Sequence, residues 1–256
     1  LKVRSKNIMH INIGADVQEM ESLMPHKTPL YYALTVVMCI LPTALNYVLF
    51  SRGMNLLAIS AIYCLVLAPL PWVLCKALNI DFKLLVLPEL ANWKNQAKIG
   101  IIFGLPFAIA IAVTYTLYTR HNVIFLFANL QNSTEAALFA IVFSFFFPAV
   151  DALYYRATLL RAVHFKPVQL AILLSCIIYA LSYYAGLRFI TSSETCAWCW
   201  FAAILIFSRV QVHVKQVFGG LASAIGHAIV NLTFSCILNS MIHGGVSVAV
   251  SINAEQ

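Results

Sequence analysis

The sequence predicts an all-α polytopic membrane helix bundle of about seven transmembrane helices, with its N-terminus inside and its C-terminus outside. Three observations lead there. Of 256 residues, 62% are hydrophobic and only 10% are charged, with a mean hydropathy of +0.87. A soluble interior of this size cannot hide so much apolar surface, so lipid must be the solvent for most of the chain. The apolar runs follow one another with short polar breaks and no long linker. Finally, Lys and Arg fall mainly in alternate breaks.

A spanning helix needs about 20 apolar residues. Runs that meet this fall near 30–50, 54–75, 99–118, 135–155, 167–186, 195–208 and 216–238. The fourth is expected to continue as helix to about residue 163, because "DALYYRATLLRAV" holds no glycine or proline before Lys166-Pro167. This divides the chain into a polar inner segment 1–29, a transmembrane domain 30–238 and a tail 239–256. Segment 81–98 mixes lysines with apolar residues around Trp93, which suits either the inner membrane surface or a solvated loop. Asn132-Ser-Thr134 matches a glycosylation acceptor on an outer loop.

With the N-terminus inside, thirteen of the sixteen Lys and Arg lie on inner segments, and only Arg52, Arg120 and Arg188 lie outside. That bias fixes the expected orientation. The formal charge of +7 therefore reads as a topology signal. The basic residues are scattered rather than gathered on a patch, so no nucleic-acid partner is expected. No targeting address can be read from the polar N-terminal stretch. The membrane is a bacterial cytoplasmic or a eukaryotic organellar one, and the sequence does not separate the two.

Seven cysteines make no disulfide framework, since Cys39, Cys64, Cys75, Cys176 and Cys236 lie in apolar runs where cysteine is a small hydrophobe. Cys196 and Cys199 have CxxC spacing but no second pair or histidine cluster beside them. Neither a metal nor a cofactor is expected.

In lipid, the informative residues are the polar ones, because a central Asp or Arg costs roughly 2.5–3.5 kcal/mol on insertion scales. Three clusters carry them. Asp151 and Arg156 stand near the inner end of the fourth helix. On an α-helix, residues five apart are separated by about 140°, so each is expected to meet partners on neighbouring helices. For Arg156, snorkelling to the interface is the other reading. Ser175, Tyr179 and Tyr183 recur every four residues and share one face, while Tyr184 suits an interfacial aromatic belt. His227 and Asn231 share a face of a helix that also carries Gly219, Gly220, Ala222, Ala224 and Gly226, small enough for close helix approach.

In this order, the clusters resemble the CPBP family, polytopic membrane proteins that include CAAX prenyl endopeptidases and bacteriocin-processing or immunity (Abi) proteins. The family pattern is Glu-Glu-x-x-x-Arg, Phe-x-x-x-His and His-x-x-x-Asn or Asp. Here it reads Asp151-Ala152-x-x-x-Arg156, Tyr179-x-x-x-Tyr183 and His227-x-x-x-Asn231, and the resemblance covers about residues 135–235. It implies a metal-free general-base hydrolysis in which a carboxylate and a histidine activate water. By position Asp151 would be that carboxylate, His227 and Asn231 would hold the substrate carbonyl and its oxyanion, and Arg156 would orient the carboxylate or brace helices.

The departures from the pattern bear on catalysis. Asp151 retracts the carboxylate by about a bond length, and such a misplacement can cost ~10²-fold. Ala152 erases the second acid. Tyr183 replaces the histidine, and a phenol with a reference pKa of about 10 is no base at neutral pH. The expectation is a catalytically impaired CPBP-like protein, a binding or accessory subunit whose partners are the lipid bilayer and either other membrane subunits or a membrane-anchored peptide. The rival is a divergent endopeptidase that cleaves prenylated or membrane-anchored peptides with Asp151 and His227. A transporter is a third class, disfavoured because no inverted repeat or pair of broken helices is present.

Overall fold

The computed structural model describes residues 29–77, 82, 92–114, 133–160, 168–190 and 193–243. Among the described residues every regular element is helical. In chain order they are α1 (Pro29–Ser51), α2 (Leu56–Leu67), α3 (Leu70–Ala77), α4 (Trp93–Thr114), α5 (Ser133–Ile141), a π-helical stretch Val142–Phe146, α6 (Phe147–Asp151), a second π-helical stretch Ala152–Leu159, α7 (Val168–Ile190), α8 (Glu194–Phe218) and α9 (Gly220–His243). Counting Leu56–Ala77 and Thr134–Leu159 each as one crossing, seven helices are long and apolar enough to span a membrane. The chain is an all-α bundle suited to a lipid environment. Side chains as large as Leu65, Ile102 and Phe145 point outward from it.

Several boundaries differ from the sequence expectation. The third span begins at Trp93 rather than near 99, so Lys94 and Lys98 belong to the first turns of α4. The sixth continues ten residues past 208, through Arg209, Gln211, His213 and Lys215, to Phe218. Hydropathy falls there, but these residues are good or neutral helix formers, and Gln211 and Val214 are buried on one side. The break before the last span is Gly219, with φ of +107°, a conformation that favours glycine. A Cβ there would also meet the Gln96 side chain at 2.5 Å. Gln96 Oε1 in turn accepts from the Ala222 amide at 3.2 Å, satisfying a donor in the first turn of α9. The fourth span is helical to residue 160. Its expected continuation to 163, the inner segment 1–29 apart from Pro29, most of 81–91, Asn132 and the C-terminal tail beyond His243 lie outside the described residues.

α4 and α9 approach each other backbone to backbone. A Cβ on Gly100 would stand 2.6 Å from the Ala222 carbonyl oxygen, and one on Gly104 would stand 2.7 Å from the Gly226 carbonyl oxygen. Real Cβ atoms cannot approach a backbone oxygen so closely. The small stripe expected on α9 thus finds a matching small stripe on α4, the packing mode favoured where lipid removes any hydrophobic drive between helices.

The fourth span occupies the centre. From Tyr154 to Leu159 every residue is buried, so this stretch is wrapped on all sides. α1 reaches it through Tyr154, whose hydroxyl donates to the Met38 carbonyl at 2.7 Å, and reaches α7 through Asn46, whose amide donates to the Ser182 carbonyl at 2.8 Å.

Candidate functional site

Two departures from α-helical hydrogen bonding shape the fourth span. In the stretch Val142–Phe146 the Phe147 amide bonds back to the Val142 carbonyl, five residues away. The next bond in that register would run from residue 148 to the Phe143 carbonyl, and residue 148 is proline, which has no amide hydrogen. A buried carbonyl left so would be costly. Asn231 Nδ2, from α9, donates to the Phe143 oxygen at 2.7 Å.

The second π stretch begins directly after Asp151. Its i to i+5 bonding stacks residues five apart, unlike the 140° separation expected for an α-helix. Asp151 and Arg156 are both buried, at 0% and 2% exposure, Arg156 within the stretch that is wrapped on all sides. Arg156 does not snorkel, so it is no topology signal. Nor does it orient the carboxylate: Nε, Nη1 and Nη2 have no hydrogen-bond partner. Its Cζ lies 5.7 Å from the centroid of the Tyr179 ring.

The Asp151 carboxylate is instead held by phenols. Tyr63, from α2, donates to Oδ1 at 3.2 Å, and Tyr183, from α7, donates to Oδ2 at 2.9 Å. His227 Nδ1 stands 3.9 Å from Oδ2 and has no hydrogen-bond partner. Burying a carboxylate without donors would be prohibitive, and these two phenols supply them.

Hydroxyls extend this centre in two directions. Ser182 donates to the Tyr179 carbonyl at 2.7 Å, Tyr155 donates to Ser182 Oγ at 3.0 Å, and Tyr155 and Tyr63 hydroxyls lie 2.9 Å apart. With the Tyr155 proton committed to Ser182, the single Tyr63 proton serves both Tyr155 Oη and Asp151 Oδ1. On the other side Tyr179 Oη lies 3.2 Å from Tyr183 Oη and 3.3 Å from His227 Nε2. Because Tyr183 gives its proton to Asp151, Tyr179 donates to Tyr183, and His227 must carry its proton on Nε2 and turn a bare Nδ1 toward Asp151. Asp151, Tyr183, Tyr179 and His227 thus form a ring with one open edge, from Nδ1 to Oδ2.

Of the residues singled out from sequence, Asp151, Tyr183 and His227 meet at one point, with Tyr179 completing the ring. Ser175 lies on the same α7 face and donates to the Tyr155 carbonyl at 3.2 Å. Asn231 shares its face with His227 but gives its amide to the fourth-span backbone, and Arg156 makes no hydrogen bond to the carboxylate. Tyr184 packs against Trp198 at 4.5 Å, away from the centre. Cys196 and Cys199 are free thiols in the first turns of α8. Sequence reasoning missed Tyr63, Tyr155 and Ser182. Each is a hydroxyl within an expected span, and that position was the available signal. Comparisons with family models, with curated proteins and with solved structures give no match to this chain.

Proposed function

We propose that this chain is a CPBP-like integral membrane protein that keeps an intramembrane polar centre but does not hydrolyse peptides, and that acts as a binding or accessory subunit of a membrane complex. One observation carries the reading: the Tyr183 hydroxyl donates to Asp151 Oδ2 at 2.9 Å. A general base must offer a lone pair to the proton it takes, within about 2.6–3.2 Å. Here a phenol hydrogen bond on each oxygen takes up two of the carboxylate's four acceptor sites and weakens it as a base, and the side chain at 183 is one of those donors rather than a second base. The Asn231 amide, which by resemblance would polarise a substrate carbonyl, is engaged by the Phe143 carbonyl. An N-in, C-out orientation belongs to the same proposal, supported by the Lys and Arg bias, which survives the removal of Arg156 from the inner count.

The test is incubation of the purified full chain with prenylated and membrane-anchored peptides. No cleavage is expected, from the protein as it stands or from His227→Ala. Cleavage that disappears in His227→Ala would overturn the proposal.

A second reading, a divergent endopeptidase, is favoured by the open edge of the ring. His227 Nδ1 is unbonded, 3.9 Å from Asp151 Oδ2, and a water held there would touch both. It predicts that Asp151→Asn removes activity while leaving expression and folding intact. If Asp151→Asn and His227→Ala both leave cellular function untouched, catalysis at this centre is excluded.

A further inference from the structure

The polar centre satisfies its carboxylate and leaves a cation over. Arg156 is 2% exposed, yet its guanidinium offers five N–H donors and none of its three nitrogens has an acceptor. The Tyr179 ring beneath it contributes an attraction of about 0.5–2 kcal/mol. Taking an ion out of water costs several kcal/mol, which that attraction does not offset. Asp151 is close enough to attract the guanidinium by charge, but its oxygens face Tyr63, Tyr183 and His227, and among the described residues no hydrogen bond or ion pair joins it to Arg156, so the five donors stay unmet. A second positive group stands beside the first, since Lys215 Nζ donates to the Arg156 carbonyl at 2.8 Å.

We propose that Arg156 anchors a binding site for an amphiphile with a single oxyanionic headgroup, a carboxylate or a phosphodiester, on an apolar chain. The guanidinium fork matches two oxygens of such a group in one plane. Two cations less the one nearby carboxylate leave a single positive charge, which calls for one negative charge rather than two. The apolar chain follows from the setting: Arg156 lies within a span long and apolar enough to cross a membrane, and its chain neighbours Ala157 and Leu159 are buried with it. The site goes beyond the proposed function, since it stands on Arg156 and holds whether or not Asp151 hydrolyses anything.

The experiment heats the full chain in an uncharged detergent and follows the temperature at which monodisperse protein is lost. The probes are laurate, dilauroyl phosphatidylglycerol, methyl laurate and acetate. A ligand that binds only the folded state raises that temperature saturably. The rise is expected with laurate or with the phosphatidylglycerol, and whichever acts identifies the headgroup; methyl laurate and acetate are expected to do nothing. Arg156→Met replaces the charge with a side chain of similar reach, a change that buried ion sites often tolerate. It is expected to weaken the apparent affinity by about tenfold or more, the loss of a charge-assisted pair. Should Arg156→Met not fold, Arg156→Lys keeps the charge but loses the fork, and a weaker apparent affinity is again expected. The proposal is overturned if neither oxyanion gives a saturable rise, which would leave the guanidinium to buried water. Methyl laurate acting as well as laurate would also overturn it, as would unchanged affinity in the folded variant.

Discussion

The two faces of α9 solve helix association in opposite ways. On one, Ala222 and Gly226 meet Gly100 and Gly104 of α4, and contact is made by removing side chains until backbones touch. On the other, His227 and Asn231 meet Tyr179 and the Phe143 carbonyl, and contact is made by matching donors to acceptors. The first face tolerates no added volume. The second tolerates changes of volume better than changes of hydrogen-bonding pattern, because in lipid no water replaces a lost partner. Stability and chemistry are thus separated on one helix, and the two faces should break differently.

The largest effect is expected on the small-residue face. Gly104→Leu places a side chain where even a Cβ would lie 2.7 Å from the Gly226 carbonyl oxygen, which cannot move without shifting a helix. The cost is expected to exceed about 3 kcal/mol, the upper range of overpacking. On heating in detergent, this variant is expected to lose its monodisperse peak at much lower temperature than the parent. Gly53→Ala is the contrast: nothing lies within 4 Å of its added Cβ, and the penalty is only that of φ at +64°, about 1 kcal/mol. Equal losses would show that the α4–α9 approach is looser than its geometry.

These two faces were unequally legible. The small stripe is a pattern local to α9, so the sequence displayed it, though not the helix that would fill it. Likewise the spans followed from runs of apolar residues, and only their ends moved, where helix propensity outlasts hydropathy at Arg209 to Phe218. The polar centre was half legible. Asp151, Tyr183 and His227 stand out because a polar residue in lipid needs a reason, but Tyr63 lies 88 residues before the aspartate it serves. No local pattern pairs them. The role of Asn231 was hidden for a different reason: it answers a defect created by Pro148, visible only once the π register is known.

The donor-matching face should respond in steps. Asp151→Leu removes both acceptors and leaves the Tyr63 and Tyr183 hydroxyls facing an apolar side chain, at an expected cost of about 2 kcal/mol. Asp151→Asn keeps a carbonyl oxygen of the same reach and a similar volume, and is expected to cost less than half as much. The comparison is read as the difference in unfolding free energy between the two variants in mixed micelles. If they are equally destabilised, the phenols do not depend on the carboxylate as an acceptor.

The smallest effect is the most discriminating. Asn231→Leu removes the donor that meets the Phe143 carbonyl at 2.7 Å and is expected to cost about 1 kcal/mol, a typical value for one interhelical hydrogen bond in a membrane. The physical reason for that bond is the missing amide of Pro148, so the cost should depend on the proline. In a Pro148→Ala background the new amide can bond to Phe143 in the π register begun by Phe147 and Val142. There Asn231→Leu should cost only a few tenths of a kcal/mol, giving a coupling of about 0.5 kcal/mol or more in a double-mutant cycle. Additive losses would mean that Asn231 does not stand in for the absent amide, and would return it to the polar centre as a free donor beside His227.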